Sequence, residues 1–271
     1  MSIDPIRSAA VGSIRDVLNL FDQEPGSPEA VHGLRVCTKK LRAYLRVYPG
    51  KAPIRDANRQ LKQLADSYSG TRDAHVLRET LEHVMSSWPL RKRKKYQRVI
   101  DDLSSIKQHG NTDLRPLEPR AAFEQIMTVW PNVDSGQDFW ATGLDRVFIK
   151  AQVLGENAIK STEDEPYHRW RKWVKYWLYG LTGVAKGQVA PGYNKRLKRL
   201  GEGLGHFHDL CVLEEVICSH ESRERHGADL KPFLKAIASE KKDLKKSFKK
   251  AHKVLFKVNY RKRQKMAGRT K

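Results

Sequence analysis

Apolar residues recur along this chain at intervals of three and four, the spacing that lays a stripe down one side of an α-helix. The pattern predicts helices at about 5–21, 29–48, 54–69, 73–88 and 91–109, separated by turn signals such as Glu24-Pro25-Gly26-Ser27-Pro28 and Tyr48-Pro49-Gly50. It resumes at about 138–160, 166–186, 192–205, 209–220 and 229–258. Between the two sets, a segment around 110–137 with Pro116, Pro119 and Pro131 reads as a connector holding one short helix at 120–130. No run of alternating β-branched residues is bounded by hairpin turns, so the predicted fold class is all-α. Asp73 and Asp209 each stand where a helix is expected to open, placed to cap free backbone N–H groups.

The two sets of helices are copies of one pattern. His32-x-x-Arg35-x-x-x-Lys39 returns as His168-x-x-Arg171-x-x-x-Lys175, and Asn58 returns as Asn194. Leu61-Lys62-x-Leu64 matches Leu197-Lys198-x-Leu200, and Asp73-x-x-Val76-Leu77-x-Glu79 matches Asp209-x-x-Val212-Leu213-x-Glu215. One offset serves every match from His32 to Glu79 without a gap, which predicts an internal duplication. The expected architecture is two helical bundles of four-helix type, 1–135 and 136–260, related by a pseudo-two-fold axis and followed by a basic tail at 261–271.

Charge narrows the choice of partner. The 271 residues include 52 Lys+Arg against 31 Asp+Glu, a formal net charge of +21. A compact chain with this surplus repels itself unless an anion is usually near, so the partner is nucleic acid, an anionic membrane or another polyanion. A hydrophobic fraction of 39 % is too high for a wholly disordered chain. No stretch reaches the roughly 20 apolar residues of a membrane span, and MSIDPIRSAAVGSIRD has no signal-peptide apolar segment, so a cytoplasmic protein is expected. Cys37, Cys211 and Cys218 lie inside apolar periodic segments with neither disulfide nor zinc spacing, and are expected to be buried thiols.

The location of the cations is more informative than their number. In helix 29–48, His32, Arg35, Lys39, Arg42 and Arg46 are spaced 3, 4, 3 and 4 and share one face, while Val31, Leu34, Leu41, Leu45 and Tyr48 form a separate apolar face. Like charges one turn apart cost a helix a few tenths of a kcal/mol per pair, and a solvated face ordinarily mixes signs. The second copy repeats His168, Arg171 and Lys175 before Leu178 ends the row. Arg offers a donor fork, Lys a mobile charge and His a titratable donor, a combination suited to phosphate. General acid–base work needs placed carboxylates, which the row lacks. The run Arg91-Lys92-Arg93-Lys94-Lys95 fits either an RNA-binding patch or plain solvated surface. On the last helix, Lys242, Lys246, Lys249, Lys253 and Lys257 share a face, with Ile237, Leu244, Phe248, Leu255 and Val258 packing elsewhere.

His206-x-His208-Asp209 offers three ligand types, and its adjacent His-Asp pair is a pattern of metal-dependent phosphohydrolases. Its counterpart, Gly70-Thr71-Arg72-Asp73, puts a cation where His208 stands, which argues for an anion at that position and against a metal. Trp170, Trp173, Tyr176, Trp177 and Tyr179 have the spacing of core packing rather than of a base-stacking platform.

His32-Gly-Leu-Arg35-Val-Cys-Thr-Lys39-Lys40-Leu41-Arg42, then Leu61-x-x-Leu64 leading to Thr71-Arg72-Asp73-Ala-His75-Val76-Leu77, resemble blocks of the CHAD domain, the conserved-histidine α-helical domain. So do His168-x-x-Arg171-Lys172-x-x-Lys175 and Leu204-Gly205-x-x-His208-Asp209-x-x-Val212-Leu213, and together the four cover nearly the whole chain. The resemblance implies two helical bundles and binding of inorganic polyphosphate along a basic groove or pore. By position it implicates His32, Arg35, Lys39, Lys40, Arg42 and Arg72 in one half, and His168, Arg171, Lys175, Lys198 and His208 in the other. Tyr176 and Leu178 depart from Lys40 and Arg42, so the second half is expected to contribute less. The alternating Glu-x-Glu-x-Lys strand of the β-barrel enzyme often fused to such domains is missing, which points to a stand-alone, non-catalytic binder with no cofactor and a place in the cytoplasm or on polyphosphate granules. The rival expectations are nucleic-acid binding, suggested by the net charge and the run at 91–95, and metal-dependent phosphate hydrolysis by His206, His208 and Asp209.

Overall fold

The computed structural model describes residues 4–48, 52–68, 72–106, 116–130, 139–183 and 191–256, and among them every regular element is a helix. In chain order these are α1 (Pro5–Gln23), α2 (Pro28–Leu45), α3 (Ala52–Asp66), α4 (Arg72–Val84), α5 (Leu90–Lys95), α6 (Gln97–Ile106) and α7 (Pro119–Thr128). They continue as α8 (Phe139–Lys160), α9 (Glu165–Gly183), α10 (Pro191–Ile217) and α11 (His220–His226), and a short 3₁₀ turn at Gly227–Leu230 leads into α12 (Lys231–Phe256). The turn signals do what their chemistry dictates. Pro28 opens α2 behind Ser27, whose hydroxyl accepts from the Ala30 N–H at 3.1 Å, and Gly26 takes the left-handed φ of 74° that the preceding turn requires. At α1 the Asp4 carboxylate accepts from the Ile6 N–H at 2.8 Å and from the Tyr48 hydroxyl at 2.5 Å, so a helix cap is also tied to the end of α2.

Apolar burial organises the helices into two cores. The larger gathers Leu34, Leu41 and Leu45 of α2 with Leu61 and Leu64 of α3, Trp170 and Trp177 of α9, Leu197 and Leu204 of α10, and Phe248 of α12. The smaller joins Leu77 and Leu81 of α4 and Ile100 and Leu103 of α6 to Leu210 and Leu213 of α10 and Phe233 and Ile237 of α12. Each core draws residues from both sequence copies. Helix α2 packs on α1, α3 and α9, and α9 packs on α8, α10 and α2. The α2–α9 crossing is close because Gly183 lies against the Tyr44 ring; a Cβ there would overlap the ring atoms.

Several expected boundaries move. The helix predicted at 91–109 is two in its described part, divided at Tyr96, and the rest of that span lies outside the described residues. The helices expected at 192–205 and 209–220 are one continuous α10, Pro191–Ile217, whose helical backbone runs unbroken through Gly205 and His206. Asp209 therefore lies in the interior of a helix rather than at the N-terminus, where a capping carboxylate would stand. Asp73 does stand in the first turn of α4, with its side chain outside the described residues, as are Lys257, Val258 and the tail at 261–271.

Candidate anion-binding site

The apolar face of α2 reads as expected, with Leu34, Leu41, Leu45 and Tyr48 buried and Val31 half-buried. Burying that face leaves the basic row along the edge of the α1–α2–α3 packing. His32 is exposed, and Arg35, Lys39, Lys40, Arg42 and Arg46 are half-buried. Arg35 reaches the C-terminal end of α3, where Nη1 donates to the Tyr68 carbonyl at 3.2 Å and to the Ala65 carbonyl at 3.5 Å. A cation belongs there, since the last carbonyls of a helix carry its negative dipole end. Arg42 Nε donates to Asn58 Oδ1 at 3.0 Å. The Arg46 guanidinium lies 5.6 Å from the centroid of the Tyr176 ring on α9. This contact brings the end of the α2 row to the residue that follows Lys175.

On α9, Arg171 and Lys175 lie along α10, where a Cβ at Gly205 would stand 3.8 Å from Arg171 Nε and one at Gly201 3.4 Å from Lys175 Cε. Burial pulls the Lys175 ammonium below the ordinary lysine pKa, and the Arg171 guanidinium adds to the effect; Glu202 opposes it. His208 Nδ1 meets His168 Nε2 at 3.2 Å with the rings edge to face, and His168 Nδ1 lies 3.5 Å from Glu165. Lys198 is 70 % exposed and pairs loosely with Glu202 at 3.8 Å, so it joins the row only as a mobile charge. The Arg72 side chain lies outside the described residues.

The weaker second row has a visible cost. Asn194 repeats Asn58, but Leu178 occupies the place of Arg42 and is buried in the core, and Asn194 Oδ1 is buried without a hydrogen-bond partner. The sequence argument named neither Asn58 nor Tyr176 as part of the site. The Asn58/Asn194 match was the available signal for the first; the second depends on a helix crossing. Of the other aromatics, Trp170 and Trp177 are core residues, Trp173 and Tyr176 pack at the core edge, and Tyr179 is half-buried.

The remaining basic elements are built differently. In the run 91–95, Lys92 stands 3.7 Å over the Trp88 ring, Lys95 5.3 Å over Tyr96, and Arg93 donates to the carbonyls of Trp88 and Ser86. On α12, Lys242, Lys246, Lys249 and Lys253 are exposed, while Ile237, Phe248 and Leu255 are buried. A cleft of about 590 Å³ beside them is lined by Asp164, Tyr167, Glu214, Lys241, Lys245 and Lys249. Lys241 is clamped between Asp164 and Glu214, and Lys245 lies 2.9 Å from Asp164. Burial pulls Lys241 toward neutrality, but the two carboxylates prevail and raise its pKa above the ordinary value.

The rival hydrolase reading would need His206 and His208 on one ligand, but His208 meets His168, whereas His206 Nε2 meets Glu240 at 2.7 Å. Cys37 and Cys211 are buried thiols whose pKa burial pushes up to about 12, and Cys218 is half-buried. Among the described residues no helix is long and apolar enough to cross a membrane.

Comparison with curated proteins and with solved structures returns no match. The family model described as the CHAD domain matches residues 14–218, which takes in α2, α9 and α10 with the basic rows they carry, and stops short of α12. With that match over most of its length, the chain belongs to the CHAD-domain family.

Proposed function

We propose that this chain binds inorganic polyphosphate, without catalysing its turnover, in a groove to which α2 and α9 each contribute a basic row. Membership of a family associated with polyphosphate binding supports the reading. The observation that carries it is the Arg46–Tyr176 contact, which joins the end of one row to the neighbour of Lys175 in the other. A polyanion of repeating identical charges needs a line of donors and no base-reading edge. Arg42 and Arg46 are oriented by an amide and an aromatic ring, neither of which takes their charge, so their outer N–H groups suit phosphate oxygens. Lys175, held partly desolvated beside Arg171, gains most when an anion arrives.

In this reading the halves 1–135 and 136–260 are related by a pseudo-two-fold axis passing between α2 and α9. The matched packings α1–α2 with α8–α9, and α2–α3 with α9–α10, support that relation. The same surface is the one an RNA competitor would use, and a granule-associated protein of the cytoplasm would carry such a site. In the run at 91–95, the feature that suggested nucleic acid, Lys92 and Lys95 lie over the Trp88 and Tyr96 rings and Arg93 donates to nearby carbonyls, so these cations also keep their charge and competition decides between the two polyanions. The test is equilibrium binding of long-chain polyphosphate at several salt concentrations, with single-stranded RNA as competitor at equal phosphate concentration. Expected are an affinity that falls steeply with salt and little displacement by RNA. Displacement of polyphosphate by RNA at physiological salt would transfer the assignment to nucleic acid.

A further inference from the structure

His206 and His208, two residues apart on α10, leave the helix on different sides. His206 Nε2 lies 2.7 Å from Glu240 Oε1 of α12, and His83 Nε2 of α4 lies 2.9 Å from the same oxygen. The two imidazoles meet edge to face with centroids 4.6 Å apart. One ligand atom from each of three helices thus falls within 4.8 Å of the others. The helices beneath are fixed independently, since α4, α10 and α12 all contribute to the smaller core.

We propose that His83, His206 and Glu240 form a binding site for a divalent transition-metal ion, Zn²⁺ by its ligand chemistry, that clamps α4 to α10 and α12. Two neutral imidazoles and one carboxylate are a nitrogen/oxygen set that Zn²⁺ accepts with a water in the fourth position. The three ligand atoms must come from within 4.8 Å of one another to metal-bound spacing. Bonds of about 2.0–2.1 Å at tetrahedral angles separate ligand atoms by roughly 3.3 Å, so both imidazoles must withdraw from Glu240 by about half an ångström. His83, with 57 % of its side chain exposed, has room for that movement. On binding, each Nε2 turns its lone pair to the ion, with the ring proton carried on Nδ1. Such an ion ties an element of the first sequence copy to α12, which lies beyond the family-matched residues, and so locks the smaller core.

The experiment uses the full chain without a histidine tag, stripped with chelator and kept free of polyphosphate, which would itself bind the metal. Calorimetric titration with Zn²⁺ is expected to show one equivalent bound, with a raised melting temperature. Co²⁺ in its place is expected to give the intense visible absorption of a four- or five-coordinate site. Because His83 is exposed and Glu240→Gln preserves shape, His83→Ala and Glu240→Gln should fold, and each should lose affinity by about tenfold or more together with the Co²⁺ signal. Absence of stoichiometric binding in the wild-type chain would overturn the proposal, as would binding equally tight in both variants.

Discussion

Two helical faces of this molecule carry lysine and arginine rows of similar length, yet they are built on opposite principles. Along α12 the inner lysines are neutralised, Lys241 between Asp164 and Glu214 and Lys245 beside Asp164, and the exposed Lys246 pairs with Asp243 of its own helix 2.8 Å away. Along α2 the groups that orient Arg42 and Arg46 are an amide and an aromatic ring, which fix direction and leave the charge unspent. In α9, Lys175 is desolvated next to another cation. The lesson is that the number of cations on a face says little about its affinity for anions; the chemical type of their neighbours decides it. The acids that hold Lys241 and Lys245 come from other elements, Asp164 from the α8–α9 turn and Glu214 from α10, so no window of sequence around α12 displays how its inner lysines are neutralised.

The contrast can be broken most forcefully at Lys241. Lys241→Ala leaves Glu214 without its cation and Asp164 with Lys245 alone. Unfolding free energy is expected to drop by about 2 kcal/mol, less than the roughly 3–5 kcal/mol of a wholly buried pair because the carboxylates keep 30–35 % of their exposure. Polyphosphate affinity should stay the same. Chemical denaturation at several pH values checks both the size and the cause. Lys241 has a raised folded pKa, so its contribution is present below the ordinary value of 10.5 and fades as pH climbs through the raised one. Asp164 has a lowered folded pKa, so its contribution is present above 3.8 and fades as pH falls through the lowered one. The deficit of the variant should accordingly be full between these limits and shrink outside them.

A smaller effect sharpens the contrast from the other side. Lys175→Met removes a charge that folding disfavours, so the free protein should gain stability, by under about 1 kcal/mol, while polyphosphate affinity falls several-fold. The sign with pH follows from the lowered pKa. Folding pays for the charged form below that pKa, and a bound anion restores the proton, so wild-type binding should take up a proton and weaken in the alkaline range just under 10.5. Calorimetry in buffers of different ionisation enthalpy should register the uptake in the wild type and lose it in the variant.

Much of the fold was legible in the sequence because three- and four-residue periodicity reports a buried face directly: Leu34, Leu41, Leu45 and Tyr48 are where the pattern put them. The basic row was legible for the same reason. What escaped notice depends on contacts between distant segments. Continuity of α10 through Gly205 and His206 goes with packing on both cores, Leu197 and Leu204 in the larger and Leu210 and Leu213 in the smaller. The meeting of Arg46 with Tyr176 needs the α2–α9 crossing that Gly183 permits, and the His83–His206–Glu240 cluster needs three helices at once. The duplication was visible as repeated residues, whereas the loss of a partner for Asn194 showed only when Leu178 was found in the core.

The most direct test places the two faces side by side. Polyphosphate affinity is measured for Lys39→Ala/Arg42→Ala on α2 and for Lys245→Ala/Lys246→Ala, whose ammonium groups already face Asp164 and Asp243, on α12, each removing two charges and each verified to be folded. The account predicts a loss of about tenfold or more for the first pair, with a salt dependence shallower by roughly one per cation removed, and a change within about twofold for the second. Equal losses from both pairs, or a larger one from α12, would contradict it.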